Sequence, residues 1–357
     1  MIGALVVEDS RVIRDYLVHA LEADPGIRVV GTAASGEEAL ASVAAHRPDV
    51  ILMDLHLPGI DGLETTRRIM ASHPVPIVIC TASTTFDEVH TAMGALEAGA
   101  LAALRKPGGY GDPGAETETA AIVTTLKLMS EIAVVRRWNR PRPVAPPVVP
   151  AVAVPAPRDV AGHGAAVVAI GASTGGPPAI LQLLSGLSAA FPAPILVVQH
   201  ISPGFTAGFA EWLATASGLP THVAQGGETP LPGHVYFAPD DRHLQVGQHG
   251  ELRTTREEPH HGLRPSVGVL FRSVAERFGR QAVGVLLTGM GRDGAEELKL
   301  MADRGALTVA QDEESCVVFG MPAEAIRLGA ARFVLPPRQI ADLLTAAVRG
   351  GASRGDR

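Results

Sequence analysis

The stretch VVAIGASTGGPPAILQLL, Val167–Leu184, decides how the chain must fold. An apolar run of strand length enters a turn of small residues, and apolar residues at helical spacing follow two prolines. A strand with no polar alternation is covered on both faces, and one that runs straight into a helix begins a strand–helix–strand unit of a parallel sheet. The reading here is a strand over Val167–Gly171 and a helix over Pro177–Leu187. Downstream, Ile195–Gln199, Ala282–Thr288 and Ala306–Ala310 read as further buried strands. His234–Ala238 and His243–Val246, separated by PDDR, read as an antiparallel hairpin. Upstream the same grammar repeats. Ala4–Val7, Val29–Ala33, Val50–Asp54, Ile77–Thr81 and Ala102–Arg105 read as buried strands. They alternate with the amphipathic stretches Arg11–Ala23, Glu37–His46, Leu63–Ser72 and Asp87–Ala98, and a final helix runs from about Thr117 to Arg137. The expected fold class is α/β in two domains: a five-stranded, doubly wound parallel domain, then a mostly parallel α/β domain with an antiparallel hairpin.

Between them lies RPRPVAPPVVPAVAVPAP, Arg140–Pro157, with seven prolines from Pro141 to Pro157. Proline fixes φ and removes a donor, so this segment reads as an extended linker. The expected division is a first domain over 1–125 with its last helix reaching about 137, a linker over 138–163, and a second domain over 164–350. Composition agrees with two cores: 357 residues, 46% of them hydrophobic, exclude wholesale disorder. A net charge of −7 and 4% aromatics speak against nucleic-acid binding. Two cysteines, Cys80 and Cys316, cannot build a disulfide framework. The N-terminus, MIGALVVEDSRVIRDYL, carries charges where a signal peptide needs apolar residues, and no apolar run reaches the ~20 residues of a spanning helix. A cytoplasmic protein without direct membrane insertion is expected.

In a doubly wound sheet functional groups collect at the carboxyl ends of the strands. Glu8 and Asp9 end the first strand, Asp54 the third and Thr81 the fourth, while Lys106 follows the fifth. Three acids brought together repel unless a divalent cation shares them, and all-oxygen ligands favour magnesium. Beside such an ion and an ammonium, Asp54 can accept a phosphoryl group in line. With LVVEDS, ILMDLHLPGIDGLE, the Thr81 strand end and Lys106–Pro107, residues 1–125 resemble the receiver domain of bacterial response regulators, a flavodoxin-like fold. The resemblance implies Asp54 as phosphoacceptor, Glu8, Asp9 and Asp54 as the Mg2+ site, Thr81 and Lys106 as switch residues, and a chemotaxis-type histidine kinase as phosphodonor. Two positions depart from the pattern: Glu8 stands where many receivers have aspartate, and Ala103 where many have an aromatic switch residue.

In the second domain, Gly171-Ala172-Ser173-Thr174-Gly175 matches the Gly-x-Ser-x-Gly nucleophile elbow between strand and helix. A glycine-rich loop in that position can also cradle phosphate, so the motif alone leaves both readings open. A serine nucleophile needs a base and an orienting carboxylate. His200 follows the strand ILVVQ, and Asp293 lies just past AVGVLL in LLTGMGRDGAEEL. The other histidines of this half, His163, His222, His234, His243, His249, His260 and His261, mostly fall in polar loops and read as solvated. The segments AIGASTGGP, VVQHISPGFT, LPGHVYFAPDDRH, RPSVGVLF, LLTGMGRDGA and AQDEESCVVFGMP resemble the catalytic domain of the chemotaxis protein-glutamate methylesterases, the CheB family. That likeness implies Ser173, His200 and Asp293 as catalytic triad and Thr174 and Met290 as oxyanion contacts. It further implies hydrolysis of glutamate methyl esters, and deamidation of glutamines, on methyl-accepting chemoreceptors. Phosphorylation would activate the reaction, and no cofactor is called for in the hydrolysis. One departure is Gly268 in RPSVGVLF, where the family usually shows aspartate.

Overall fold

The structure is a computed structural model and describes residues 1–82, 85–108, 114–132, 134, 160 and 163–349. The chain divides into two compact units, Met1–Val144 and Ala145–Arg357. The proline-rich segment expected as a linker lies outside the described residues, apart from positions 160 and 163.

The first unit alternates strictly: β1 (Ile2–Val7), α1 (Arg11–Glu22), β2 (Ile27–Ala33), α2 (Gly36–His46), β3 (Val50–Asp54), α3 (Gly62–Ser72), β4 (Ile77–Thr81), α4 (Phe86–Glu97), β5 (Ala102–Arg105) and α5 (Ala115–Ser130). The sheet order is β2-β1-β3-β4-β5, with every pairing parallel. Every residue of β3 and β4 is buried, as a central strand with helices on both faces requires. The helices start where the sequence can satisfy free N–H groups. Ser35 accepts the Glu38 N–H while Glu38 accepts the Ala34 N–H, a reciprocal cap on α2. Asp61 likewise accepts the Glu64 N–H at 2.7 Å ahead of α3. The last helix is shorter than its sequence suggests: it stops at Ser130 rather than near Arg137, and the Ile132 N–H closes a turn onto the Met129 carbonyl. Ala103 is buried within β5.

The second unit contains β6 (Val167–Ala172), α6 (Gly176–Leu184), β7 (Ile195–Gln199), α7 (Thr206–Ser217), β8 (Thr221–Val223), β9 (Val235–Phe237), β10 (His243–Val246) and β11 (Leu252–Thr255). It continues with α8 (Val267–Phe278), β12 (Ala282–Leu286), α9 (Ala295–Asp303), β13 (Leu307–Gln311), α10 (Met321–Arg327), β14 (Phe333–Leu335) and α11 (Pro337–Arg349). Seven strands form one parallel sheet in the order β14-β13-β12-β6-β7-β9-β8. The chain builds outward from β6 in both directions, so the carboxyl ends of β6, β7 and β12 meet at a topological switch point.

A hairpin is present, but with a different partner from the one expected. Residues 235–237 pair in parallel with β7 inside the main sheet, whereas β10 pairs antiparallel with β11. The reason is burial. Val235, Tyr236 and Phe237 are all buried, which suits a strand covered on both faces, while β11 keeps Arg253 exposed and carries the alternation of a half-exposed ribbon. The ribbon lies on α8, where the Val246 N–H donates to the Ser273 hydroxyl at 3.0 Å. The core around the switch point is continuous. Val167, Leu196, Val198, Val267, Phe271, Leu286, Leu298 and Met321 belong to one buried cluster that joins the sheet to α8, α9 and α10.

Candidate functional site

In the first unit the strand ends converge as chain order requires. Glu8 and Asp54 are buried, Asp9 is exposed, and carboxylate oxygens of all three lie within 4.8 Å of one another. Lys106 sits between two of them, its Nζ 2.8 Å from Glu8 Oε2 and 2.7 Å from Asp54 Oδ2. Burial raises the Glu8 carboxyl above the ordinary glutamate value, with Asp54 adding to the rise and Lys106 opposing it. Burial alone would lower Lys106, but its contacts with Asp54 and Glu8 outweigh that and keep the ammonium above the usual lysine range. One oxygen here has no partner: Asp54 Oδ1 is buried and accepts no hydrogen bond among the described residues. An orphaned carboxylate oxygen within a cluster of hard oxygen donors fits a divalent cation of the magnesium type. Thr81, fully buried at the end of β4, gives its hydroxyl proton to Glu88, whose other oxygen lies 3.6 Å from His56 Nε2. Glu88 was not singled out from the sequence; its place in the first turn of α4, seven residues after Thr81, is the signal that was there to read.

In the second unit the site is built by register. Ala172 pairs with Gln199 as β6 and β7 end, so the next residues, Ser173 and His200, leave the sheet from neighbouring strands at its carboxyl edge. The His200 N–H donates to the Ala172 carbonyl at 2.9 Å, and the Ser173 N–H to the Thr288 carbonyl at 3.0 Å. The Gln199 side chain then clamps both residues, its Nε2 bonded to the carbonyls of Ser173 (2.8 Å) and His200 (2.7 Å). Gly175 lets the turn close: it adopts φ +77°, and a Cβ there would sit 2.4 Å from Val317. Ser173 and His200 are half-buried and open to a substrate, whereas Asp293 is buried.

Asp293 reaches across from the turn after β12. Its Oδ2 accepts His200 Nε2 at 3.0 Å and the Val267 N–H at 2.7 Å; its Oδ1 accepts the Ser266 hydroxyl at 2.7 Å and the Gly268 N–H at 3.1 Å. The carboxylate therefore occupies the N-terminus of α8 as well as the imidazole, a place that favours negative charge. Burial pulls the Asp293 carboxyl upward, but His200, Ser266 and Val267 together hold it below the ordinary aspartate value. Thr174 follows Ser173 within the elbow, Met290 follows Gly289, which packs closely against Ser173, and among the described residues no backbone hydrogen bond claims either N–H. Thr288 fastens the elbow to residues 317–318, its hydroxyl meeting the Thr174 carbonyl and the N–H groups of Val317 and Val318.

Gln199, Thr288 and Ser266 carry no motif in the sequence, yet they touch the site from strand ends and a helix start. His243, expected among the solvated histidines, is instead fully buried, with Nδ1 accepting the Ser266 N–H at 3.2 Å and Nε2 bonded to the Glu258 carbonyl at 3.2 Å. The polar residues just before His243 belong to the turn ahead of β10, whereas His243 itself opens a strand in which His243, Leu244 and Val246 are all buried. His260 is also drawn into the structure, 3.2 Å from the Ser266 hydroxyl.

The two halves match known domains. Residues 168–344 match the CheB methylesterase family and residues 4–112 the response regulator receiver domain. The chain is 52% identical over 356 residues to a protein-glutamate methylesterase/protein-glutamine glutaminase of Nitrosospira multiformis, covering 100% of this chain and 99% of that one. It is 49% identical over 349 residues to a protein of the same name, numbered 4, from Geobacter metallireducens, covering 97% and 98% of the two chains. Among solved structures, the CheB methylesterase catalytic domain of Thermotoga maritima is 39% identical and covers 51% of this chain and 97% of its own, with a TM-score of 0.49. With a receiver and a methylesterase domain in one chain, and half its residues shared along the whole length of such relatives, this protein belongs to the protein-glutamate methylesterase/protein-glutamine glutaminase family of chemotaxis response regulators.

Proposed function

We propose that this enzyme hydrolyses the γ-methyl esters of glutamate, and the side-chain amides of glutamine, on methyl-accepting chemoreceptors by Ser173 acyl transfer, under control of phosphorylation at Asp54. The observation that carries the proposal is the bond from His200 Nε2 to Asp293 Oδ2, 3.0 Å long, beside the elbow serine. Because Asp293 is held ionised, Nε2 carries the proton and Nδ1 is the nitrogen left to act as base. His200 accepts the Ser173 hydroxyl proton as Oγ attacks the γ-carbonyl, then delivers it to the departing methoxide, which leaves as methanol. Water, deprotonated by the same imidazole, attacks the acyl-enzyme; the carbonyl–Oγ bond breaks, and glutamate and Ser173 are restored. With glutamine the leaving group is ammonia. The unclaimed N–H groups of Thr174 and Met290 are suited to the oxyanion that forms twice on this path.

In the receiver, Asp54 is the phosphoacceptor, and Glu8, Asp9 and Asp54 are the residues that would hold Mg2+. When bound, that ion would offset the negative charge of the incoming phosphoryl group. Lys106 fixes the Asp54 carboxylate, and Thr81 must exchange Glu88 for the acyl phosphate. A chemotaxis-type histidine kinase is the expected donor, and the cytoplasm the expected compartment. Methanol release from methylated receptor membranes, with and without acetyl phosphate, tests all parts together. Wild type should release methanol faster with the phosphodonor, Asp54→Asn should stay at the basal rate, and Ser173→Ala should release none. Methanol release by Ser173→Ala at the wild-type rate would overturn the proposal.

A further inference from the structure

Behind Asp293 lies a chain of polar groups that the reaction itself does not use. Asp293 is ionised and can only accept, so the Ser266 hydroxyl gives its one proton to Oδ1. The lone pair of that hydroxyl is then free for the Nδ1–H of His260, at 3.2 Å. On the far side of the ring, Nε2 faces Glu297 Oε1 at 3.8 Å, and Arg272 donates to the same oxygen at 2.8 Å. Glu297 is only 5% exposed, an expensive place for a carboxylate that serves no purpose. Gly268 supplies a second, independent sign that the arrangement is built. A Cβ at 268 would come 2.7 Å from Glu297 Oε2 and 3.1 Å from His260 Cε1, so a larger residue there would have to displace the end of the Glu297 side chain from its place beside His260.

We propose that Glu297 and His260, acting through Ser266, are positioning residues for Asp293 and thereby for His200. The inference rests on the reading of Ser173, His200 and Asp293 as a hydrolytic triad and names what keeps that triad in register. Glu297, held by Arg272, borders the imidazole of His260 and limits its rotation; the imidazole steers the Ser266 hydroxyl; the hydroxyl fixes which oxygen of Asp293 turns to His200. His243 completes the frame by holding the Ser266 backbone. None of these groups touches the reacting atoms, so they act on turnover and leave substrate affinity alone.

The test uses the full-length chain with two readouts: kcat and KM for ester hydrolysis, and the rate of Ser173 labelling by a fluorophosphonate. Glu297→Gln keeps the shape and removes the charge, His260→Ala removes the ring, and His260→Gln returns a donor to Ser266. The double variant Gly268→Asp with Glu297→Gly places a carboxylate in the same space from the opposite helix. Glu297→Gln and His260→Ala should lower kcat and labelling about fivefold to tenfold, the rate equivalent of one weakened hydrogen bond to a charged group, with KM within about twofold. His260→Gln or the double variant should recover most of that loss. Unchanged kcat in Glu297→Gln, a loss that falls on KM, or a loss that neither compensating variant recovers would overturn the proposal. Wild type that does not label at Ser173 would instead overturn the hydrolase reading beneath it.

Discussion

Replacing Asp293 by asparagine removes one charge while keeping the shape, and the structure says where the new amide must sit. Each carboxylate oxygen faces a backbone N–H, Val267 at 2.7 Å on Oδ2 and Gly268 at 3.1 Å on Oδ1. The amide nitrogen must oppose one of them, and the longer contact is the cheaper to lose. It therefore takes the Oδ1 side, where Ser266 can turn its hydroxyl to accept. The oxygen stays on His200 Nε2, so the imidazole keeps its tautomer but loses the charge 3.0 Å away. At an effective dielectric of about 20, unit charges at that distance interact by roughly 5 kcal/mol. The imidazole is only partly charged at the transition state, so about 4 kcal/mol is expected, a fall in kcat of roughly a thousandfold. The stranded Gly268 N–H should cost about 1–3 kcal/mol of stability, which a domain of this size tolerates. Methanol release and fluorophosphonate labelling, read beside a melting curve, check both figures. A folded Asp293→Asn enzyme within tenfold of wild type would refute the electrostatic account.

Three other outcomes are expected. Lys106→Met leaves Glu8 and Asp54 facing each other without their cation and should destabilise the first unit by about 3–5 kcal/mol, with added Mg2+ recovering part of the melting temperature. Asp293 is held below its ordinary value in the folded chain, so its contribution to stability is present above about pH 4 and lost as pH falls through the folded value; Lys106 is held above its ordinary value, so its share is present below about pH 10 and lost as pH rises beyond it. Wild-type melting curves at the acid end should therefore be steeper in pH than those of Asp293→Asn, and at the alkaline end steeper than those of Lys106→Met. Burial pushes the Cys80 thiol far up, while Cys316 is half-exposed, so a thiol reagent should label native protein at Cys316 and reach Cys80 only on unfolding; equal labelling would contradict the packing of β4.

The strands that the sequence spelled most plainly are those buried on both faces. Val50–Asp54, Ile77–Thr81 and Ile195–Gln199 stand where their apolar runs place them, because a central parallel strand has no solvent face to interrupt the pattern. The strands β8, β11 and β14 are too short or too polar to carry such a run, and the sequence does not announce them. PDDR suggested a tight turn and hence a hairpin, but VYF is too uniformly buried to share a two-stranded ribbon, and the main sheet took it.

Chain order and strand ends alone determined that Glu8, Asp9, Asp54 and Lys106 would share one crevice and that Ser173, His200 and Asp293 would share another, since parallel sheets deliver every strand's carboxyl end to one edge. Only the tertiary structure decided which nitrogen of His200 faces Asp293, that Thr81 is engaged by Glu88, and that His243, His260 and Glu297 lie behind the carboxylate. Those facts depend on side-chain direction and on helices packing across one another. Hydrophobic periodicity records which face of an element is buried, and it is silent about which polar group, distant in the chain, will be buried against it.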